Sequence, residues 1–262
     1  MTAAQWKIFC DFKSELKKQI NEWTKYAPEL MELQKIAAKK AGTPDYPFET
    51  PVVYNKALDE LTQNDEIKLI VIGDNPGKDE QLLKNNKYLV GQAGKLGESF
   101  FKKNPDLNID FRKNVIILNK TPVHSAKTAQ LKTIAKLGGK KIEQLIKDTQ
   151  IWMAQKTAKL HIDLCCNGDK TDENNQTELW LVGYSELKQK GIFEDYKREL
   201  KNYYIEKNPQ MWEKVFVYQH FSMNRFTINL SDFIKENYLE QKPLEAVLKE
   251  LGKLHKNQVF DD

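Results

Sequence analysis

Three cysteines, Cys10, Cys165 and Cys166, are all the thiols in 262 residues, and no two stand in a C-x-x-C spacing. That is too few for a four-cysteine zinc or iron–sulfur site and too few for a disulfide framework, so a reducing compartment is expected. Histidine is equally sparse. His124, His161, His220 and His255 form no H-x-H or H-x-x-x-H pair, which argues against a metal hydrolase. No apolar run approaches the ~18 residues of a membrane span. The opening Met1-Thr2-Ala3-Ala4-Gln5-Trp6-Lys7 has no basic segment followed by an apolar one, so no secretory leader is expected. These absences predict a soluble, cytoplasmic protein without cofactor, metal or membrane partner. A P-loop is also missing. In Val90-Gly91-Gln92-Ala93-Gly94-Lys95 the first required glycine would fall at Leu89, and Leu96 replaces the Ser or Thr that would meet magnesium.

What is present is charge and alternation. Charged residues make up 30% and apolar residues 40%, with a net charge of +4 and a pI near 8.7. This suits a folded core with a well-solvated surface and tolerates a polyanionic partner without requiring one. Trp6, Phe9, Phe12, Leu16, Ile20 and Trp23 recur at spacings of three and four and predict an amphipathic helix. A second helix is expected from Pro28 to before Gly42, then a proline-rich loop through Pro51. Four apolar segments read as buried strands: Ile67–Gly73, Asn114–Asn119, Glu178–Tyr184 and Lys214–His220. Helical patterns separate them, around Lys95–Lys103, Lys141–Leu160 and Glu186–Tyr204. A last helix is expected from Pro243, burying Leu244, Val247, Leu248, Leu251 and Leu254. The polar stretch Asn167–Gln176 reads as an exposed loop. Alternating strands and helices predict an α/β fold, a three-layer αβα sandwich around a mainly parallel four-stranded sheet, with an N-terminal helical extension. One domain is expected over 1–262: an extension at 1–60, an α/β core at 65–235 and a C-terminal helix at 243–256.

Ligands of such sheets bind outside the carboxyl ends of the strands. Those ends read Gly73-Asp74-Asn75-Pro76-Gly77, Asn119-Lys120-Thr121-Pro122, Gly183-Tyr184 and His220-Phe221-Ser222. The first resembles the G-x-N-P-G signature of mismatch-specific and single-strand-selective members of the uracil-DNA glycosylase superfamily. Tyr88-Leu89-Val90-Gly91-Gln92-Ala93-Gly94 is similar to the P-F-V-G-x-A-G segment of the iron–sulfur members. Ile116-Ile117-Leu118-Asn119 resembles the classical L-L-L-N, and His220-Phe221-Ser222 the H-P-S loop. The blocks stand in the family's order and span most of the chain.

The resemblance implies excision of uracil, or a related deaminated base, from DNA by a monomer that flips the base out at a cost of a few kcal/mol. It makes Asn119 the reader of the base's pairing edge, with Gly73, Pro76, Gly77, Tyr88, Leu89 and Ser222 around the base. His220 becomes the donor that meets the departing pyrimidine's charge. Asn75 orients the attacking water, and Asp74, aligned with the Glu of G-E-A-P-G, is a general base or a partner for the cationic sugar. Met223, Asn224 and Arg225 supply the wedge into the vacated stack. Lys120 and Lys127, with Lys132, Lys136, Lys140 and Lys141, are the phosphate contacts.

The chain departs from the family at several points. Leu89 stands where most relatives stack a Phe, leaving Tyr88 as the aromatic candidate. Phe221 replaces the proline of H-P-S, and Gly77 replaces a bulky Tyr, so a wider pocket is expected. Taken singly, these residues have plainer readings: a turn at Gly73–Gly77, a strand-end cap at Asn119, a satisfied edge histidine at His220 and a solvated lysine face. The alternative function is a catalytically degenerate member that binds nucleic acid or a nucleobase without cutting.

Overall fold

The computed structural model describes residues 1–168 and 177–261. The loop expected at Asn167–Gln176 lies outside the described residues from position 169 onward. Helix α1 (Ala3–Tyr26) opens with a reciprocal cap: the Thr2 hydroxyl accepts from the Gln5 amide, and the Gln5 side chain accepts from Thr2 N. Its expected stripe is buried from Phe9 to Trp23, with Trp6 packed half-buried at its start. Helix α2 (Leu30–Lys40) follows. Then come strand β1 (Leu69–Gly73), helix α3 (Gln92–Lys103) and strand β2 (Val115–Asn119). Helix α4 (Gln130–Cys166) is kinked at Gly139, where φ is 63°. Strand β3 (Glu178–Val182), helix α5 (Glu194–Lys207), strand β4 (Val215–Tyr218) and helices α6 (Arg225–Glu236) and α7 (Leu244–Phe260) complete the order.

The four strands form one all-parallel sheet in the order β2-β1-β3-β4. Because successive side chains of a strand face opposite ways, each strand feeds two cores. Ile70, Ile72, Ile116, Leu118, Leu179, Leu181, Val215 and Val217 pack with α1, α2, α4 and α5. Leu69, Val71, Val115, Ile117, Trp180, Val182, Phe216 and Tyr218 pack with α3, α6 and most of α7. Burial on both faces is why the strands read as nearly unbroken apolar runs.

Several expectations about elements are corrected. The pattern at Glu186–Tyr204 is two pieces, a short 3-10 turn at Tyr184–Leu187 and then α5, parted by a left-handed Lys190 and by Gly191. On α7, Leu254 is 43% exposed, and the buried face continues instead through His255, Val259 and Phe260, as a 3.6-residue repeat counted from Leu251 requires. Helix α6 had no counterpart in the sequence reading. It fully buries Phe226 and Leu230 and packs the half-buried Phe233 and Ile234 beside them, an apolar stripe at helical spacing.

The chain crosses from one side of β1 to the other between β2 and β3. The topological switch point therefore lies at the carboxyl ends of β1 and β3, where loops diverge and leave a crevice. Asp74 and Gly183 occupy those two ends.

Candidate functional site

A cleft of about 990 Å³ opens at that crevice. Asn75, Asn119 and His220, from the tips of three different strands, all line it, together with Asp74, Gly77, Leu89, Ser222, Met223, Arg225 and Lys127. Gly73 and Pro76, expected around the base, are not among the lining residues.

Asn119 ends β2 and is 1% exposed, yet its side-chain nitrogen Nδ2 has no hydrogen-bond partner. Leaving a buried amide donor unpaired costs about 1–3 kcal/mol. Its Oδ1 would lie 2.5 Å from a Cβ on Gly73, so only glycine at 73 leaves room for this amide.

Asn75 is pinned. Its Nδ2 donates to Ser125 Oγ at 2.9 Å and to the Ser125 and Pro76 carbonyls at 3.2 Å. Carbonyls only accept, so the amide orientation is fixed, and Oδ1 accepts nothing from the described residues. Below it His124 is fully buried, with Nδ1 donating to the Pro76 carbonyl at 2.8 Å and Nε2 accepting from the Tyr46 hydroxyl at 3.0 Å. Burial pushes the His124 pKa down to about 4, which keeps the ring neutral. Gln34 of α2 donates to the His124 and Pro51 carbonyls. The proline-rich segment is thus a strap under the Asn75 turn, paired with the chain after β2 by a bridge between Val52 and Val123.

His220 follows β4 and is half-buried. The Ser222 backbone N–H donates to its Nδ1 at 3.1 Å, and the Ser222 hydroxyl lies 2.8 Å from the same atom. A backbone N–H cannot accept, so Nδ1 carries the lone pair and the neutral ring bears its proton on Nε2. Burial lowers the His220 pKa, with the Asp74 carboxylate opposing that shift and the Lys120 ammonium adding to it. The ring is therefore a neutral donor whose Nε2–H has no partner among the described residues.

Asp74 and Lys120 form an ion pair at 2.6 Å, with side chains 12% and 0% exposed. The Lys120 ammonium also donates to the Val182 carbonyl at 2.5 Å and the Gly73 carbonyl at 3.4 Å, and lies over the Phe193 ring. The other Asp74 oxygen meets the Thr128 hydroxyl at 3.5 Å. Gly183 makes room: its φ of 98° suits glycine, and a Cβ there would lie 2.2 Å from Asp74 Oδ1. Lys120 as a DNA-phosphate contact is therefore corrected. Its ammonium is sealed beneath the sheet tips: the pairing with the β1 segment continues through Lys120 N to Gly73 O, so successive side chains face opposite ways and only Asn119 reaches the cleft.

Tyr88 is corrected too. It is fully buried, donates through its hydroxyl to the Val53 carbonyl at 2.6 Å and lies outside the cleft lining, so it offers no stacking surface. Leu89 lines the cleft instead, in a left-handed conformation with φ 49°. It is braced by Glu80, which accepts from Leu89 N at 3.0 Å, and by Arg112, which donates to Leu89 O at 2.9 Å. No Phe, Tyr or Trp lines the cleft among the described residues. Gly77 has open space where a side chain would project, in keeping with the wider pocket expected.

At the rim Met223 is 74% exposed and, like Asn224, adopts positive φ. Asn224 turns to a neighbouring groove between α3 and α6 rather than to the cleft. Arg225 and Lys127 are exposed on the cleft rim. Lys132 instead donates to the Lys190 carbonyl and Lys141 pairs with Glu29, so these two leave the set of free phosphate contacts. Among residues the sequence reading missed, Glu80 is the most informative. It accepts from Gly77 N and Leu89 N, and burial raises its pKa to about 7. The signal for it is an acidic residue three positions after the Pro-Gly turn. Ser125, which holds Asn75, carried no signal in its spacing.

Comparison with known proteins finds no matching family model, curated protein or solved structure. Among the described residues no helix is long and apolar enough to cross a membrane.

Proposed function

We propose that the chain is a DNA glycosylase of the uracil-DNA glycosylase superfamily, hydrolysing the N-glycosidic bond of a uracil-like base turned out of the helix. The observation that carries this reading is the buried, unpaired Asn119 amide sharing one cleft with Asn75 and His220. Its Nδ2 supplies the donor that a uracil O4 accepts, and its Oδ1 accepts from N3–H. Cytosine presents the opposite pair and leaves both groups unsatisfied, a discrimination of ~10⁴-fold or more where a site is built on such bonds.

Bond cleavage then proceeds by charge separation. The C1′–N bond breaks with its electron pair on the base, and the sugar becomes cationic. His220, neutral with Nε2–H free, donates to the developing oxyanion at O2. Asn75 Oδ1 accepts from the water that attacks C1′. The proton that this water sheds finally neutralises the departed base. Met223 at the rim is the wedge, and Arg225 and Lys127 meet the phosphates.

The test is release of base from U·A, U·G, T·G and hypoxanthine duplexes and from single strands. Excision is expected, with His220→Ala and Asn75→Ala each lowering kcat about 10²–10³-fold at unchanged thermal stability. Full activity in both variants refutes the assigned roles. A second reading, binding without cleavage, is favoured by the aromatic-free cleft lining. It is upheld if uracil-containing strands bind but release no base.

A further inference from the structure

The reading above leaves Lys120 without a task, although its buried pair with Asp74 is costly to build. A fully buried ammonium loses several kcal/mol of hydration, and replacing such pairs by apolar residues is often neutral or stabilising. Here the fold spends a position in each of four segments on it. Lys120 bonds the carbonyls ending β1 and β3, Gly183 omits a side chain to admit Asp74, and Thr128 reaches the second carboxylate oxygen. The pair sits at the switch point, and Asp74 lines the cleft while Lys120 does not.

We propose that Lys120 is a positioning residue: with Gly183 and Thr128 it fixes the direction of the Asp74 carboxylate at the switch point, so that Asp74 can serve as the partner for the cationic sugar that the resemblance implies. This rests on the glycosylase reading, which already gives Asp74 that charge role, and adds Lys120 to the machinery. With one oxygen held by the ammonium and the other beside Thr128, the carboxylate has a set direction. The charge it opposes exists in the transition state and not in the bound substrate, so the pair should affect kcat more than KM. Water is left to Asn75, and its proton passes to the base anion, which balances the reaction without a protein acceptor.

The experiment is a double-mutant cycle of Asp74→Asn, Lys120→Met and both together, with Lys120→Arg as the conservative variant. Each is assayed for kcat and KM on a uracil duplex and for urea unfolding. Expected are a fall of about 10²-fold in kcat for each single variant, KM within about twofold, and a double variant no slower than the slower single. Lys120→Arg, which keeps the charge, should recover part of the loss. The double variant carries no unpaired buried charge, so it reports even where a single variant unfolds. Losses that multiply in the double variant, or Lys120→Met at wild-type kcat, overturn the inference while excision by the wild type upholds the reading beneath it. A wild-type protein that releases no base overturns that reading, and the catalytic role of Lys120 with it.

Discussion

Glu80 illustrates how one side chain sets the shape of the cleft wall. Its two oxygens take the Gly77 and Leu89 amides, tying together the open turn at Gly77 and the braced Leu89. In Glu80→Gln one of those amides faces another donor. A loss of about 1–3 kcal/mol is expected from urea unfolding, with the larger share if the Gln nitrogen turns inward. The residues proposed to carry chemistry were the most legible in the sequence, since Asn75, Asn119 and His220 each stand at a strand end in a recognisable block. Lys120 and Tyr88 were not legible in the same way. Their chain neighbours Asn119 and Leu89 line the cleft, and only the alternation of side chains past Asn119 and the bond that holds the Tyr88 hydroxyl to the Val53 carbonyl separate them from it.

The elements were largely written in periodicity, but their breaks were not. The continuous apolar runs of β1 and β2 follow from burial on two faces, and the α1 stripe from packing on one. Helix α6 does carry a 3.6-residue pattern, with Phe226, Leu230, Phe233 and Ile234 on the face that packs against the sheet and mostly polar residues towards the cleft, so it was legible in the sequence and went unread. Helix α3 is marked by its pattern, but its seat is set by a close contact at its start. A Cβ at Gly94 would lie 1.5 Å from the Leu89 carbonyl oxygen, a backbone atom that cannot yield. Gly94→Ala is therefore expected to displace α3 or Leu89. Destabilisation of about 3 kcal/mol or more is expected from denaturant unfolding, with loss of base binding. An unchanged midpoint would show that the helix does not approach Leu89 so closely.

For the whole molecule, acid is the expected weakness. His124 and His161 are fully buried, and burial lowers both to about 4 from the ~6.5 of an unfolded chain. Their contribution is complete above pH 6.5 and is lost as pH falls towards 4, roughly 3 kcal/mol for each. Glu80 runs the other way. Raised to about 7, it contributes fully below pH 4.5, and that share is lost as pH rises through 7. The two histidines outweigh the one carboxyl, so the urea midpoint should fall by an amount worth roughly 3 kcal/mol between pH 7 and pH 4. Salt dependence is a second global test. Lys78, Lys127 and Arg225 line the cleft beside Asp74, Asp79, Glu80, Glu186 and Asp232. So few free cations should give a shallow slope of log K against log salt, about −3 or smaller in magnitude on duplex DNA. A slope near −8 would mean that DNA lies across another face.

The missing aromatic wall also decides what light can report. A 2-aminopurine placed beside a target uracil is dark while stacked and brightens when its neighbour is drawn out. Among the described residues no Phe, Tyr or Trp lines the cleft to dim an emissive base placed there. A fluorescent uracil analogue should therefore brighten on capture and stay bright, which makes stopped-flow emission a direct clock for base extrusion, while intrinsic tryptophan signal stays flat.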